Sequence, residues 1–249
     1  MKIINTIQLK YKNPIQINFG IPDSQEELNE MFKLRFEIYK NKNYIDPEKF
    51  ENNMDIDQYD KDNKCVYFIA EVNKAIIGTA RLIIDYPLPT QIYFDFEEPL
   101  EIQNIPIDQR AEISRLVIKP YKLNNNRYLP RHITMLMLFK TIADYSMVNN
   151  YKAGYAFVKS RLFEKLKLIK IPFYVIKNYK QRYPKDGILY KYFNDPNDPV
   201  IPIYYFLDEI TEFFEKIFNF RLFFIKKGNL IIMKNIFLYD FLVNLKRLL

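Results

Sequence analysis

The apolar and polar positions along the chain mark out a helix, three strands in succession, and then helix and strand in alternation. Asp23-Ser24-Gln25-Glu26-Glu27 reads as a helix start, with Ser24 and Glu27 at capping-box spacing. In the helix that follows, Leu28, Met31, Phe32, Phe36 and Tyr39 share one stripe, and Arg35 falls inside it. Residues 40–64 are polar, and a loop of that length inside a compact domain is often functional. Cys65 to Val72 suits a buried strand, Asn73-Lys74 a turn, and Ala75 to Asp85 the partner strand. A proline-containing connection leads to a third strand, Arg110 to Ile118. Pro130 fits the first turn of a helix reaching about Val148. Strands are then expected at Tyr155–Val158, Phe173–Ile176, Ile201–Phe206 and Arg221–Ile225, and helices at Ser160–Leu168 and Asp208–Phe218. An amphipathic segment over Ile236–Leu249 closes the chain. The order is that of an α+β (mixed α/β) fold with a central mixed sheet flanked by helices. One main domain is expected over residues 15–207, and residues 208–249 form a small C-terminal addition.

Composition narrows the chemistry. A chain of 249 residues, 49% hydrophobic and 16% aromatic, can bury a full core and is not disordered. The single Cys65 excludes an internal disulfide framework and a cysteine-based zinc site. His132 is the only histidine, which argues against histidine metal centres and Ser-His-Asp triads, so no metal is expected. Acid–base work at neutral pH then falls to carboxylates, tyrosines, lysines, the ligand or water. The net charge of +7 is uneven: residues 46–62 carry seven acids and two bases, whereas residues 152–193 carry eleven bases and two acids. The second stretch fits an acidic partner, a nucleic acid or a small acidic carrier protein, or simply a soluble lysine-rich surface. The opening Met1-Lys2-Ile3-Ile4-Asn5 lacks the apolar run and cleavage site of a secretory signal, so a cytoplasmic location is expected. The aromatic, basic tail leaves peripheral contact with the inner membrane face open.

Four short pieces concentrate charge in otherwise apolar or loop settings. They are Arg35-Phe36-Glu37-Ile38-Tyr39, Asp57-Gln58-Tyr59-Asp60, Gly78-Thr79-Ala80-Arg81-Leu82 and Glu112-Ile113-Ser114-Arg115. A buried charge is costly unless paired, so Arg35, Arg81 and Glu112 must meet one another or a polar ligand. In a regular strand Glu112 and Arg115 face opposite sides, and they share a pocket only across a bulge or an edge.

The four pieces, in this order and spacing, resemble the acyl-homoserine-lactone synthases and the related bacterial N-acyl amino acid synthases, within the wider GCN5-related N-acetyltransferase fold. The resemblance covers roughly residues 28–176. It implies amide formation: a fatty acyl group passes from an acyl-phosphopantetheine thioester, on acyl carrier protein or coenzyme A, to the amine of a small acceptor. No tightly bound cofactor is implied. Carried over, Arg35, Tyr39, Asp57, Asp60, Arg81 and Arg115 would bind substrate, Tyr44 would match a second aromatic, and Glu112 would be catalytic. Glu112 suits a proton acceptor because burial in an apolar strand raises a carboxyl pKa. Arg115 suits the acceptor's carboxylate, and backbone N–H groups at a splayed strand suit the developing oxyanion.

The loop Lys119 to Leu129 has no glycine to cradle a diphosphate, which favours the carrier-protein thioester over coenzyme A. Lys159, Arg161, Lys165 and Lys167 are the expected dock for an acidic acyl carrier protein. The preferred product is an N-acyl amino acid. The alternatives are an acyl-homoserine lactone made with S-adenosylmethionine, and a non-catalytic basic module binding nucleic acid or anionic membrane. The extended C-terminal region and Tyr39, where the family has another aromatic, tilt the choice to the amino acid. No nucleic-acid partner is expected.

Overall fold

The computed structural model describes residues 1–10, 14–61, 64–123, 128–219 and 224–234. The expected segment 236–249 and positions 221–223 of the strand expected before it lie outside these residues. In chain order the strands are β1 (Lys2–Leu9), β2 (Ile15–Ile21), β3 (Cys65–Val72), β4 (Ala75–Ile83), β5 (Phe94–Asp95), β6 (Arg110–Ile118), β7 (Ala153–Lys159), β8 (Phe173–Val175), β9 (Lys180–Gln181), β10 (Val200–Phe206), β11 (Phe224–Lys227) and β12 (Leu230–Met233). The helices are α1 (Gln25–Asn41), α2 (Pro89–Tyr93), α3 (Leu100–Gln103), α4 (Arg131–Val148), α5 (Ser160–Leu168), α6 (Tyr190–Phe193) and α7 (Leu207–Phe218).

Ten strands form one sheet in the order β11-β12-β1-β2-β3-β4-β6-β7-β10-β8, and β5 pairs with β9 apart from it. Among the described residues only β1–β12 and β6–β7 run parallel. The mixed sheet flanked by helices is the expected architecture. Residues 2–9 and 224–233 lie outside the 15–207 span and nevertheless join the same sheet.

The β1–β2 hairpin is absent from the pattern reading. In β1 the inward positions are Asn5, Ile7 and Leu9, and a buried asparagine breaks the apolar period. Its amide is satisfied inside, donating to Asp144 Oδ2 at 2.6 Å and Thr141 Oγ1 at 3.3 Å on α4. α4 is apolar on most of its circumference because the sheet covers one side and α7 another. α1 lies on the opposite face, against β4 and β6. After α1, the described part of the polar stretch holds short 3₁₀ turns at Pro47–Lys49, Glu51–Asn53 and Gln58–Asp60.

Two local features open the sheet at its centre. β6 pairs with β7 only at Arg110–Ala153, Ala111–Gly154 and Glu112–Tyr155, after which the strands diverge. A Cβ on Gly154 would stand 1.8 Å from the Ala111 carbonyl oxygen, so only glycine lets β7 meet β6 before the split. On the other side of β6, the β4 register slips between Thr79–Val117 and Arg81–Ser114. Arg115 sits in that bulge with φ +53°, a left-handed conformation for a non-glycine residue.

Candidate active site

α1 begins where the sequence places it: Ser24 caps it by accepting from the Glu27 N–H at 3.2 Å. The apolar stripe then carries Arg35 into the interior, where it is fully buried. Arg35 Nε donates to Asp55 Oδ2 at 3.0 Å, and its two terminal nitrogens grip Asp60 at 3.1 and 2.9 Å. From β4, Arg81 makes the same bidentate grip on Asp57, at 2.7 and 2.9 Å. It also bonds Asp60 Oδ1 at 2.7 Å and, through Nε, Ser114 Oγ at 3.0 Å. The bulge answers the question of strand facing. It turns Arg115 onto the face of Ser114 and Arg81, where Nη2 meets Asp57 at 2.9 Å and Nε lies 2.8 Å from Asp55.

Three guanidiniums and three carboxylates thus neutralise one another in a buried network. Asp55 is the member that sequence reasoning missed. Its signal was its place two residues before Asp57 in the acidic stretch, within reach of the same arginines. The aspartates also fix their own loop. Asp57 accepts from the Tyr59 N–H, and Asp60 accepts from the Asp57 N–H. Burial pushes the Asp57 carboxyl up, but Arg81 and Arg115 outweigh it and hold the group well below the usual carboxylate range. Asp60 is held down likewise by Arg35 and Arg81 against burial.

Glu112 sits apart from this balance. It is fully buried at the last position where β6 pairs with β7. Oε2 accepts from the Thr90 N–H at 2.7 Å, and Oε1 has no partner among the described residues. The Tyr59 and Thr90 hydroxyls are buried as well. Burial pushes the Glu112 carboxyl up to about 8, against the Thr90 hydrogen bonds and the charge of Arg81.

The divergence of β6 and β7 holds a cavity of about 460 Å³. Residues 113–117 of β6 and 156–159 of β7 line it consecutively, so it passes through the sheet. On the α4 side the lining is apolar: Phe139, Leu162, Leu166, Phe173 and Ile203. On the α1 side it is aromatic and polar: Tyr39, Tyr44, Arg115 and Tyr192. Among the expected substrate-binding residues, Tyr39 and Arg115 border this space, with the Arg115 guanidinium 5.5 Å from the Tyr39 ring centre. Arg35, Asp57, Asp60, Arg81 and Glu112 are not among its lining residues.

The expected docking cations divide as well. Arg161, Lys165 and Lys167 are exposed on α5, and the first two reach the cavity, as does Lys42 at the C-cap of α1. Lys159 is buried and not on a docking surface. It donates to the Tyr192 and Asp198 carbonyls at 2.5 and 2.6 Å and lies over the Tyr44 and Tyr192 rings. It ends β7, a strand buried or half-buried at every position, and there it fastens the 190–198 segment.

The sequence profile of the N-acyl amino acid synthase FeeM matches residues 30–164, more than half the chain and all four charged pieces. The protein belongs to the FeeM family. It is an N-acyltransferase, acting on an acyl thioester and an amine. Three solved structures share the fold. FeeM, an N-acyl amino acid synthase from uncultured soil microbes, is 13% identical, aligns over 79% of this chain and 93% of its own, and superposes with a TM-score of 0.50. The AHL synthase LasI is 17% identical over 78% of this chain and 89% of its own, with a TM-score of 0.50. The CoA-dependent acyl-homoserine lactone synthase BjaI, solved with SAM and isopentyl-CoA, is 13% identical over 89% and 93%, with a TM-score of 0.52. No curated protein sequence matches the chain. Among the described residues no helix is long and apolar enough to cross a membrane.

Proposed function

We propose that this FeeM-family protein transfers a fatty acyl group from acyl carrier protein to the amine of an amino acid, giving an N-acyl amino acid. The observation that carries this reading is the cavity at the β6–β7 divergence. It joins an apolar arm against α4 to a polar, aromatic arm against α1, with basic residues at its rim. Its volume of about 460 Å³ lies within the usual range of ligand pockets. The acyl chain fits the apolar arm, and the thioester then lies where β6 and β7 leave one another's main chains.

In the reaction the amine nitrogen attacks the thioester carbonyl carbon, the C–S bond breaks, and the phosphopantetheine thiol leaves. The acceptor's ammonium must first lose a proton. Glu112 is the acceptor we assign, because a carboxyl at about 8 is ionised in part at neutral pH and holds a proton well once it has one. Glu112 is buried off the cavity wall, so the proton would pass from the amine to its free Oε1 through a water. Tyr39 and Arg115 border the acceptor arm, and Arg115 would hold the carboxylate. Arg35, Arg81, Asp57 and Asp60, with Asp55, would hold Arg115 and the 54–61 turn in register. We place the carrier protein over Arg161, Lys165 and Lys167, beside the cavity mouth.

The test is a panel of acyl carrier thioesters against pooled amino acids, read by mass spectrometry. N-acyl amino acids are the expected products. Acyl lactones from S-adenosylmethionine, with no acyl amino acid, would refute the acceptor assignment.

A further inference from the structure

We propose that Phe139 and Phe173, with Ile113, form the end wall of the acyl arm and set the longest chain the enzyme accepts. The inference rests on the acyl-transfer reading above and adds the specificity to it. These three residues line both the main cavity and a second, smaller void of about 10 Å³. No other residue lines both, so the three are the partition between them. The two rings close it edge to face, with centres 5.8 Å apart and planes at 72°.

The void beyond is bounded by Ile142, Ala143, Ile210 and Phe214, among others, where α4 and α7 face each other. At about 10 Å³ it is at the lower limit for one water molecule, and its apolar walls give a water no partner. It is an apolar extension on the far side of that wall. The Tyr205 hydroxyl, the polar atom of its wall, is directed to the Ala111 carbonyl at 3.5 Å. A chain ending here therefore meets hydrocarbon, and the accepted class is a plain alkyl tail rather than one with a terminal hydroxyl or carboxylate. Such a group would be buried without a hydrogen bond.

The experiment is a competition among saturated acyl carrier thioesters of graded length, with the amide products resolved by mass spectrometry. Phe139→Leu removes half the partition and joins the void to the arm. The product distribution should move to longer chains, by about fourfold for each added methylene that becomes buried. Ala143→Leu lines only the void, and in the Phe139→Leu background it should move the distribution back. An active Phe139→Leu enzyme with an unchanged distribution overturns the proposal. If Phe139→Leu does not fold, Phe173→Leu carries the same expectation and the same refutation. If the wild type gives no amide from any donor, the acyl-transfer reading fails by itself. Calorimetric titration with saturated fatty acids of graded length then decides on the wall: a length limit that shifts in Phe139→Leu supports it, and an identical limit overturns it.

Discussion

Replacing Glu112 by glutamine should make the protein more stable at alkaline pH and much less active. The carboxyl has an ordinary pKa of 4.5 and is pushed to about 8 in the fold by complete burial. The folded state therefore binds a proton that the unfolded state releases between those values. Unfolding becomes easier as pH rises from 4.5, and the effect saturates above 8. The span of about 3.5 pH units corresponds to roughly 5 kcal/mol, or about 3 kcal/mol between pH 4.5 and neutrality. Glutamine keeps an oxygen for the Thr90 N–H and has no proton to lose, so the loss disappears. Tyr59 and Tyr205, which feel the Glu112 charge, are both pushed up from 10, mainly by burial, and stay neutral across the window. Urea unfolding of both proteins from pH 4.5 to 8.5 measures the difference. The two stability curves should converge at the acid end and separate as pH rises, with the variant on top. Parallel curves would refute the burial argument. Acyl transfer by the variant should fall by about 10² to 10⁴ if the carboxylate takes the proton, and unchanged turnover would remove Glu112 from that role.

Asp55→Ala leaves Arg35 and Arg115 short of a buried counter-charge and should cost about 3–5 kcal/mol in denaturant unfolding. Acid should destabilise the wild type through Asp57 and Asp60: both are held below their ordinary 3.8, so their contribution is present above that value and is lost as pH falls beneath it; a fluorescence or circular dichroism melt from pH 5 to 2 checks this. Gly154→Ala drives a Cβ into the Ala111 carbonyl and should cost about 3 kcal/mol, seen as a lower melting temperature. Arg161→Glu with Lys165→Glu should weaken acyl carrier protein binding by at least about tenfold at low salt and less at high salt, measured by surface plasmon resonance.

The middle of the fold was legible because its signals are local. β3, its turn at Asn73-Lys74, β6 and α5 fall where alternation and punctuation place them, and Ser24 caps α1 as its spacing requires. The positive φ at Asn73 and Lys74 is what a two-residue hairpin turn demands. β1 was hidden because its inward asparagine is paid for by α4, more than a hundred residues away, which no window sees. β12 was hidden because a four-residue strand gains its identity from its partner. In the site, each charged piece was visible as charge in an apolar setting, while the pairing between pieces was not. Asp55 looked like one more acid of a solvated stretch until the 54–61 turn brought it against two arginines. Arg115 looked misdirected until a bulge, a property of the β4–β6 register, turned it. Lys159 reads as surface charge because composition cannot show that the 190–198 segment folds over it and supplies carbonyls to its ammonium.

The parallel pairing of β1 with β12 has a consequence for the growing chain. β1 can join β2 almost as soon as both are made, but its other edge waits for residues 230–233, more than two hundred positions later. Until then an open strand edge, apolar at Ile7 and Leu9, is offered to any neighbouring chain. Closure of that edge is a long-range step that comes late in synthesis and is slow by its topology. For the whole interval between the two strands, the edge of β1 has no partner of its own to exclude a foreign strand.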